Sequence, residues 1–165
     1  LDAGVYRLEL ADVAVKPVIE QSLSAVESQV AQRNVTVAVD IPGELAVRAD
    51  PKALDHILVN LIDNGVKYGR PDGKVWVEAR RDGDAIRIDV RDDGPGIADK
   101  HRARVFERFY RADPSRSREA GGTGLGLSIV KHLVESMDGE VGVEPNLPQG
   151  SIFWLRLPGA NGTSP

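Results

Sequence analysis

The run from 74 to 92, KVWVEARRDGDAIRIDVRD, constrains the fold more than any other stretch. Two segments alternate apolar and polar residues on either side of Asp82-Gly83-Asp84, the pattern of a β-hairpin. Val75, Val77 and Ala79 form one apolar face, and Ile86, Ile88 and Val90 form another. A two-stranded ribbon is barely stable in water, so these faces need a second layer. The rest of the chain can supply it. Val15, Val18, Ile19, Leu23, Val26 and Val30 recur at helical spacing and predict a helix over about 13–32, with Asp12 as N-cap and Pro17 in its first turn. Asp50-Pro51 opens a second helix, Asp as cap and Pro at the first helical position, that ends near Gly69. GLGLSIVKHLVESMDG predicts a third, stopped at Gly139. YRLEL, VTVAVDIP, EVGVEP and GSIFWLRLP read as further strands. Three helices and several mainly antiparallel strands predict an α+β fold, a two-layer α/β sandwich.

The length of 165 residues suits one core, expected over 1–158, with 159–165 as a flexible tail. Without cysteine the chain has no disulfide framework and no cysteine-based zinc site. No apolar run approaches the roughly 20 residues of a membrane span. A net charge of −4 argues against nonspecific nucleic-acid binding. Opening on Leu1 rather than Met, the chain is expected to be a piece of a longer protein. Its charge is uneven. Residues 97–122 hold seven basic and four acidic side chains, so this stretch carries +3 and the remainder −7. Such a segment is either a solvated loop or a surface suited to an anion.

The second helix carries an unusual polar line. At about 100° per residue, Asn60, Asn64 and Lys67 fall within roughly 60° of one another, and His56 shares their face. Leu54, Ile57, Leu58, Leu61 and Ile62 form a separate apolar stripe. Asparagine is a poor helix former, so two in line are either a solvent-facing accident or a site. An amide oxygen can ligate Mg²⁺, its NH₂ can donate to phosphate, and a lysine one turn on adds a point charge.

Two glycine clusters follow. In VRDDGPGIA, Gly94 and Gly96 allow a sharp turn, and Asp92 can accept from a purine amine; an ordinary turn is the alternative. In GGTGLGLSIV, Gly122, Gly124 and Gly126 lead into a helix whose free N–H groups suit an anion. Its spacing fits neither a Rossmann fingerprint nor a P-loop. About 25 residues between the clusters have the length of a lid, and Phe106 and Phe109 can pin one end by apolar contact.

In order, NLIDNGVKY, DDGPGI, VFERFYRAD and GGTGLGLSIVKH resemble the N, G1, F and G2 boxes of the ATP-binding catalytic domain of bacterial sensor histidine kinases. That family belongs to the superfamily that includes gyrase, Hsp90 and MutL. The resemblance implies a Bergerat-type fold, a mixed sheet with three main helices on one face and an ATP lid. It implies ATP and Mg²⁺ as ligands. Asn60 would ligate the metal, Asn64 and Lys67 would contact phosphates, and Tyr68 would lie near the nucleotide. Asp92 would accept from adenine, with Gly94, Gly96 and Ile97 lining the base pocket, and Ser151, after Gly150, would be a further nucleotide-binding residue. Arg108, Tyr110 and Arg111 would belong to the lid, with Lys67 and Arg111 as catalytic charges. Gly122, Thr123, Gly124, Leu125, Gly126 and Leu127 would wrap the triphosphate.

The resemblance also implies partners: an acceptor histidine on a dimerisation helix pair of the same protein, upstream of Leu1, and a response regulator downstream. The fragment itself is expected to be monomeric, on the cytoplasmic side of a membrane receptor. Three positions depart from the pattern. His56 stands where hydrolytic superfamily members carry a water-activating glutamate, Gly65 where alanine is usual, and Asp138-Gly139 where Gly-Gly is commoner.

Overall fold

The computed structural model describes residues 7–108, 110 and 126–160. The elements are β1 (Ala11–Ala14), α1 (Val15–Ala25), α2 (Glu27–Arg33), β2 (Thr36–Asp40), β3 (Ala46–Ala49), α3 (Pro51–Tyr68), β4 (Lys74–Asp82), β5 (Ala85–Asp92), α4 (Asp99–Arg102), α5 (Gly126–Ser136), β6 (Glu140–Pro145) and β7 (Ser151–Pro158). Five strands form one sheet in the order β2-β4-β5-β7-β6; β2 runs parallel to β4 and the other pairs are antiparallel. A separate two-stranded sheet joins β1 to β3.

The alternating patterns become cross-strand rows. Val77 faces Val90, Val90 faces Phe153, and Phe153 faces Val143. One step along, Ala79, Ile88, Leu155 and Val141 form the next row. The apolar faces of the two hairpin strands are therefore one continuous surface. The helices cover it, with α3 against β4 and β5, α5 against β6, and α1 against α3. Leu54, Ile57, Leu58, Leu61 and Ile62 of α3 are fully buried in this single core. The outer face is a polar ladder in which Arg87 bonds Asp89 at 2.6 Å and Glu144 at 2.8 Å and stacks over Trp154.

Asp50 starts α3 as its sequence predicts. Its side chain accepts from the Ala53 N–H at 3.0 Å, and Pro51 follows at the first helical position. It also accepts from the Glu9 N–H at 2.8 Å. Burial would raise the Asp50 pKa, but the Glu9, Ala53 and Lys52 N–H groups and the Lys52 charge outweigh it and hold the carboxyl below its usual value.

Several elements differ from expectation. Residues 7–10 of the strand expected at YRLEL lie outside any strand, and pairing starts at Ala11↔Ala49. The reason is that β3 ends where Asp50 turns to cap α3, and that side chain takes the Glu9 N–H. Asp12 is not a helix cap; it lies in β1 opposite Arg48, 3.3 Å from its guanidinium. The first helix breaks at Val26 into α1 and α2. The third helix gives way after Ser136, and Asp138, at φ 61°, takes the left-handed position before Gly139. The strand β3 has only four residues, too few for a periodic signal. Gly159 and Ala160, placed in the tail by sequence, donate to Asp84 and Ala46 at 2.9 and 3.0 Å; residues 161–165 lie outside the described residues.

Gly65 sits on the buried side of α3. A Cβ there would lie 3.5 Å from Val75 Cγ2 and 3.6 Å from Val90 Cγ1, ordinary contact distances. Alanine is the better helix former, so Gly65→Ala is expected to stabilise the chain by about 0.5–1 kcal/mol. A urea midpoint that rises with unchanged slope checks this; a fall would show that α3 cannot accept the methyl group.

Candidate functional site

Helix α3, the turn after β5 and the start of α5 bring most of the selected residues together. On α3 the polar line lies beside the core stripe, with Asn60, Asn64 and Lys67 half-buried. The Asn60 NH₂ donates to the His56 carbonyl at 2.8 Å. Its Oδ1 consequently points away from the helix backbone, towards α5. A Cβ on Gly126, the first residue of α5, would stand 3.0 Å from that oxygen. The amide oxygen and the helix start thus face each other with room for only a glycine between them. Lys67 is held by Asp63, one turn earlier, at 3.0 Å. This pairing was not read from the sequence, although i,i+4 spacing was the signal for it. His56 is exposed, and its carbonyl rather than its ring meets Asn60.

The turn after β5 lies under the C-terminal end of α3. Asp92 is only 6% exposed, and its Oδ1 accepts from the Gly94 N–H at 2.9 Å. A Cβ on Gly94 would fall 2.7 Å from the Gly69 Cα and 2.9 Å from the Tyr68 carbonyl oxygen, so the chains cross with no space for a side chain. From the other side comes the loop between β6 and β7. The Asn146 side chain donates to the Asp92 carbonyl at 2.8 Å, and Ser151 is buried at the start of β7. A Cβ on Gly96 would lie 3.1 Å from the Gly150 carbonyl oxygen. Ile97 is half-buried against the core, and its carbonyl accepts from Arg102 at 2.7 Å.

The segment from α4 onward is pinned by apolar contact, as its aromatics suggested. Phe106 meets Phe153 of β7 edge-on at 6.2 Å. Tyr110, expected to belong to the lid, packs partly against the core, hydrogen-bonds His101 and carries the Arg104 guanidinium over its ring at 4.6 Å. Arg108 is exposed, and Leu127 packs on the core. Phe109, Arg111, Gly122, Thr123, Gly124 and Leu125 lie outside the described residues. Among the described residues no group of three or more His, Asp or Glu side chains could hold a metal ion by itself. A metal at Asn60 would therefore need further ligands from a phosphate-bearing partner, the usual way Mg²⁺ is held. Likewise no helix among the described residues is long and apolar enough to cross a membrane.

Comparison with known proteins gives the family and the fold. Residues 49–161 match the family described as histidine kinase-, DNA gyrase B-, and HSP90-like ATPase. The sensor-like histidine kinase SenX3 of Mycobacterium tuberculosis (strain CDC 1551 / Oshkosh) is 39% identical over 156 residues, 94% of this chain and 38% of SenX3. The chain thus spans well under half of that relative's length. Full-length ShkA in complex with AMPPNP superposes with a TM-score of 0.80 at 35% identity, over 94% of this chain and 32% of that one. The mycobacterial sensor histidine kinase MprB gives a TM-score of 0.78 at 31% identity, over 92% and 98%. With a buried acidic turn below an asparagine-lined helix, and relatives of this kind along nearly its whole length, the chain belongs to the histidine kinase-, gyrase B- and HSP90-like ATPases as the ATP-binding catalytic domain of a sensor histidine kinase.

Proposed function

We propose that the chain binds Mg²⁺–ATP where α3, the Asp92 turn and the start of α5 meet, and passes the γ-phosphoryl group to a histidine on a dimerisation domain of the same protein. The facing of Asn60 Oδ1 and Gly126 carries this reading, because it sets an amide oxygen against the N-terminal end of a helix. That pairing suits a cation and the anion it accompanies. When bound, Mg²⁺ neutralises phosphate charge. Asn60 holds it, and Asn64 and Lys67 contact the phosphates. Lys67 is shared with Asp63, so the ligand competes with a standing ion pair. Asp92 accepts from the adenine amine, with Gly94, Gly96 and Ile97 against the base, Ser151 beneath it and Tyr68 alongside. Arg108, Tyr110 and Arg111 act from the lid, and Gly122, Thr123, Gly124, Leu125, Gly126 and Leu127 surround the triphosphate.

Phosphoryl transfer asks mainly for positioning and charge neutralisation. The acceptor imidazole nitrogen forms the N–P bond as the bond from γ-phosphorus to the bridging oxygen breaks, and ADP leaves. None of His56, His101 or His132 lies in the acceptor setting, a His-Glu/Asp pair followed closely by Pro. A response regulator then takes the phosphoryl group. We place this domain as a monomeric unit on the cytoplasmic side of a membrane-anchored receptor. With γ-labelled ATP the chain alone is expected to acquire no acid-labile phosphate, and a histidine-bearing domain added to it is expected to be labelled. Labelling of the chain alone would refute the assignment of the acceptor. Release of inorganic phosphate without labelling would make the chain an ATPase, and nucleotide binding with neither outcome would make it a sensing module.

A further inference from the structure

We propose that Asn146 is a positioning residue for adenine recognition, and that the loop between β6 and β7 sets the base preference of the site from outside it. The inference rests on Asp92 being the adenine acceptor. Strand β5 pairs with β7 as far as Arg91↔Ile152, and there the ladder ends. The next carbonyl on β5, that of Asp92, is taken instead by the Asn146 side chain at 2.8 Å. A side-chain amide thus extends a main-chain ladder by one residue, at the residue whose carboxylate faces the base. Asn146 is itself anchored, since its N–H donates to the Gly150 carbonyl at 3.1 Å. Gly150 in turn lies against the Asp92 peptide, with no room for a Cβ.

Two contacts reach Asp92 from either side of the turn. The Gly94 N–H orients the carboxylate from within the turn, and Asn146 fixes the backbone from the neighbouring loop. A carboxylate that must meet an exocyclic amine tolerates little displacement, because hydrogen bonds weaken steeply away from linearity. Freeing the Asp92 carbonyl lets the peptide rotate and swings the carboxylate with it. The loss falls on the amine contact and spares the phosphate contacts made by α3 and α5.

ADP and IDP separate these effects, because IDP carries a carbonyl oxygen where ADP carries the amine. The affinities of both nucleotides are measured by calorimetry for the parent chain, Asn146→Ala, Asn146→Ser and Asp92→Asn, with melting curves for each. Serine retains turn-forming chemistry in the loop but falls short of the carbonyl, so it decides the matter if the alanine variant does not fold. The parent is expected to prefer ADP. Both Asn146 variants are expected to narrow that preference roughly tenfold, the scale of one hydrogen bond. Equal weakening of ADP and IDP, or an unchanged ratio, would overturn the role of Asn146, since a merely structural loop moves both nucleotides together. If Asp92→Asn also leaves the ratio unchanged, the adenine assignment itself fails. A collapse in Asp92→Asn with no change in the Asn146 variants sinks this inference alone.

Discussion

Asp92→Asn is expected to bind ATP and ADP about thirtyfold more weakly, by one factor for both, because a hydrogen bond to a charged acceptor is worth about 2 kcal/mol. The two nucleotides share the adenine and differ only at the far end of the phosphate chain. A carboxylate can only accept, and the amine can only be served by an acceptor. Asparagine replaces one carboxylate oxygen with a donor NH₂, which repels the amine, while its remaining oxygen stays directed at the Gly94 N–H, as Asp92 Oδ1 is at 2.9 Å. That same bond keeps the turn in place, so the melting temperature is expected to change little. Calorimetry with both nucleotides checks the effect. Unchanged ADP affinity removes Asp92 from the base pocket, and a loss confined to ATP moves it to the γ-phosphate.

Gly150→Ala carries the larger cost in stability. Gly150 has a φ of +117°, and a Cβ would stand 1.8 Å from the Asp92 carbonyl oxygen and 3.0 Å from the Asp93 Cα. Neither atom belongs to a flexible side chain, so relief requires moving the end of β5. Backbone strain and overpacking together should cost about 3–5 kcal/mol. For a domain of ordinary stability that is a large fraction of the total, and the melting temperature should fall by about 10 °C. Gly83→Ala is the control. It also has positive φ, +63°, but a Cβ there meets nothing within 4 Å, so it should cost only about 1–2 kcal/mol. Thermal melts of the two variants side by side test this. Similar losses in both would mean that the β6–β7 loop does not rest on Asp92 in solution.

The features legible in the sequence are those whose partners lie close by along the chain. Asp50 reaches Ala53 three positions on, and the hairpin closes across Gly83-Asp84. The polar line of α3 follows from helical spacing alone, so Asn60, Asn64 and Lys67 were visible before any fold was known. The misread elements needed distant partners. Nothing local in residues 7–10 or in Asp12 announces that β3 stops at Ala49 or that Asp50 turns back to hold Glu9, 41 residues away. The contacts of Tyr110 with His101 and Arg104 likewise leave no sign in the sequence.

The sequence by itself determined which chemical groups are present, their order, and the helices and hairpin that display them, since capping, periodicity and turn chemistry act over a few residues. Only the tertiary structure decided that Asn60 faces Gly126, and that Asn146 reaches across 54 residues to the Asp92 carbonyl. These depend on where a packed core brings separate segments to rest. Packing at that density leaves each contact to the shape of the whole rather than to the residues on either side.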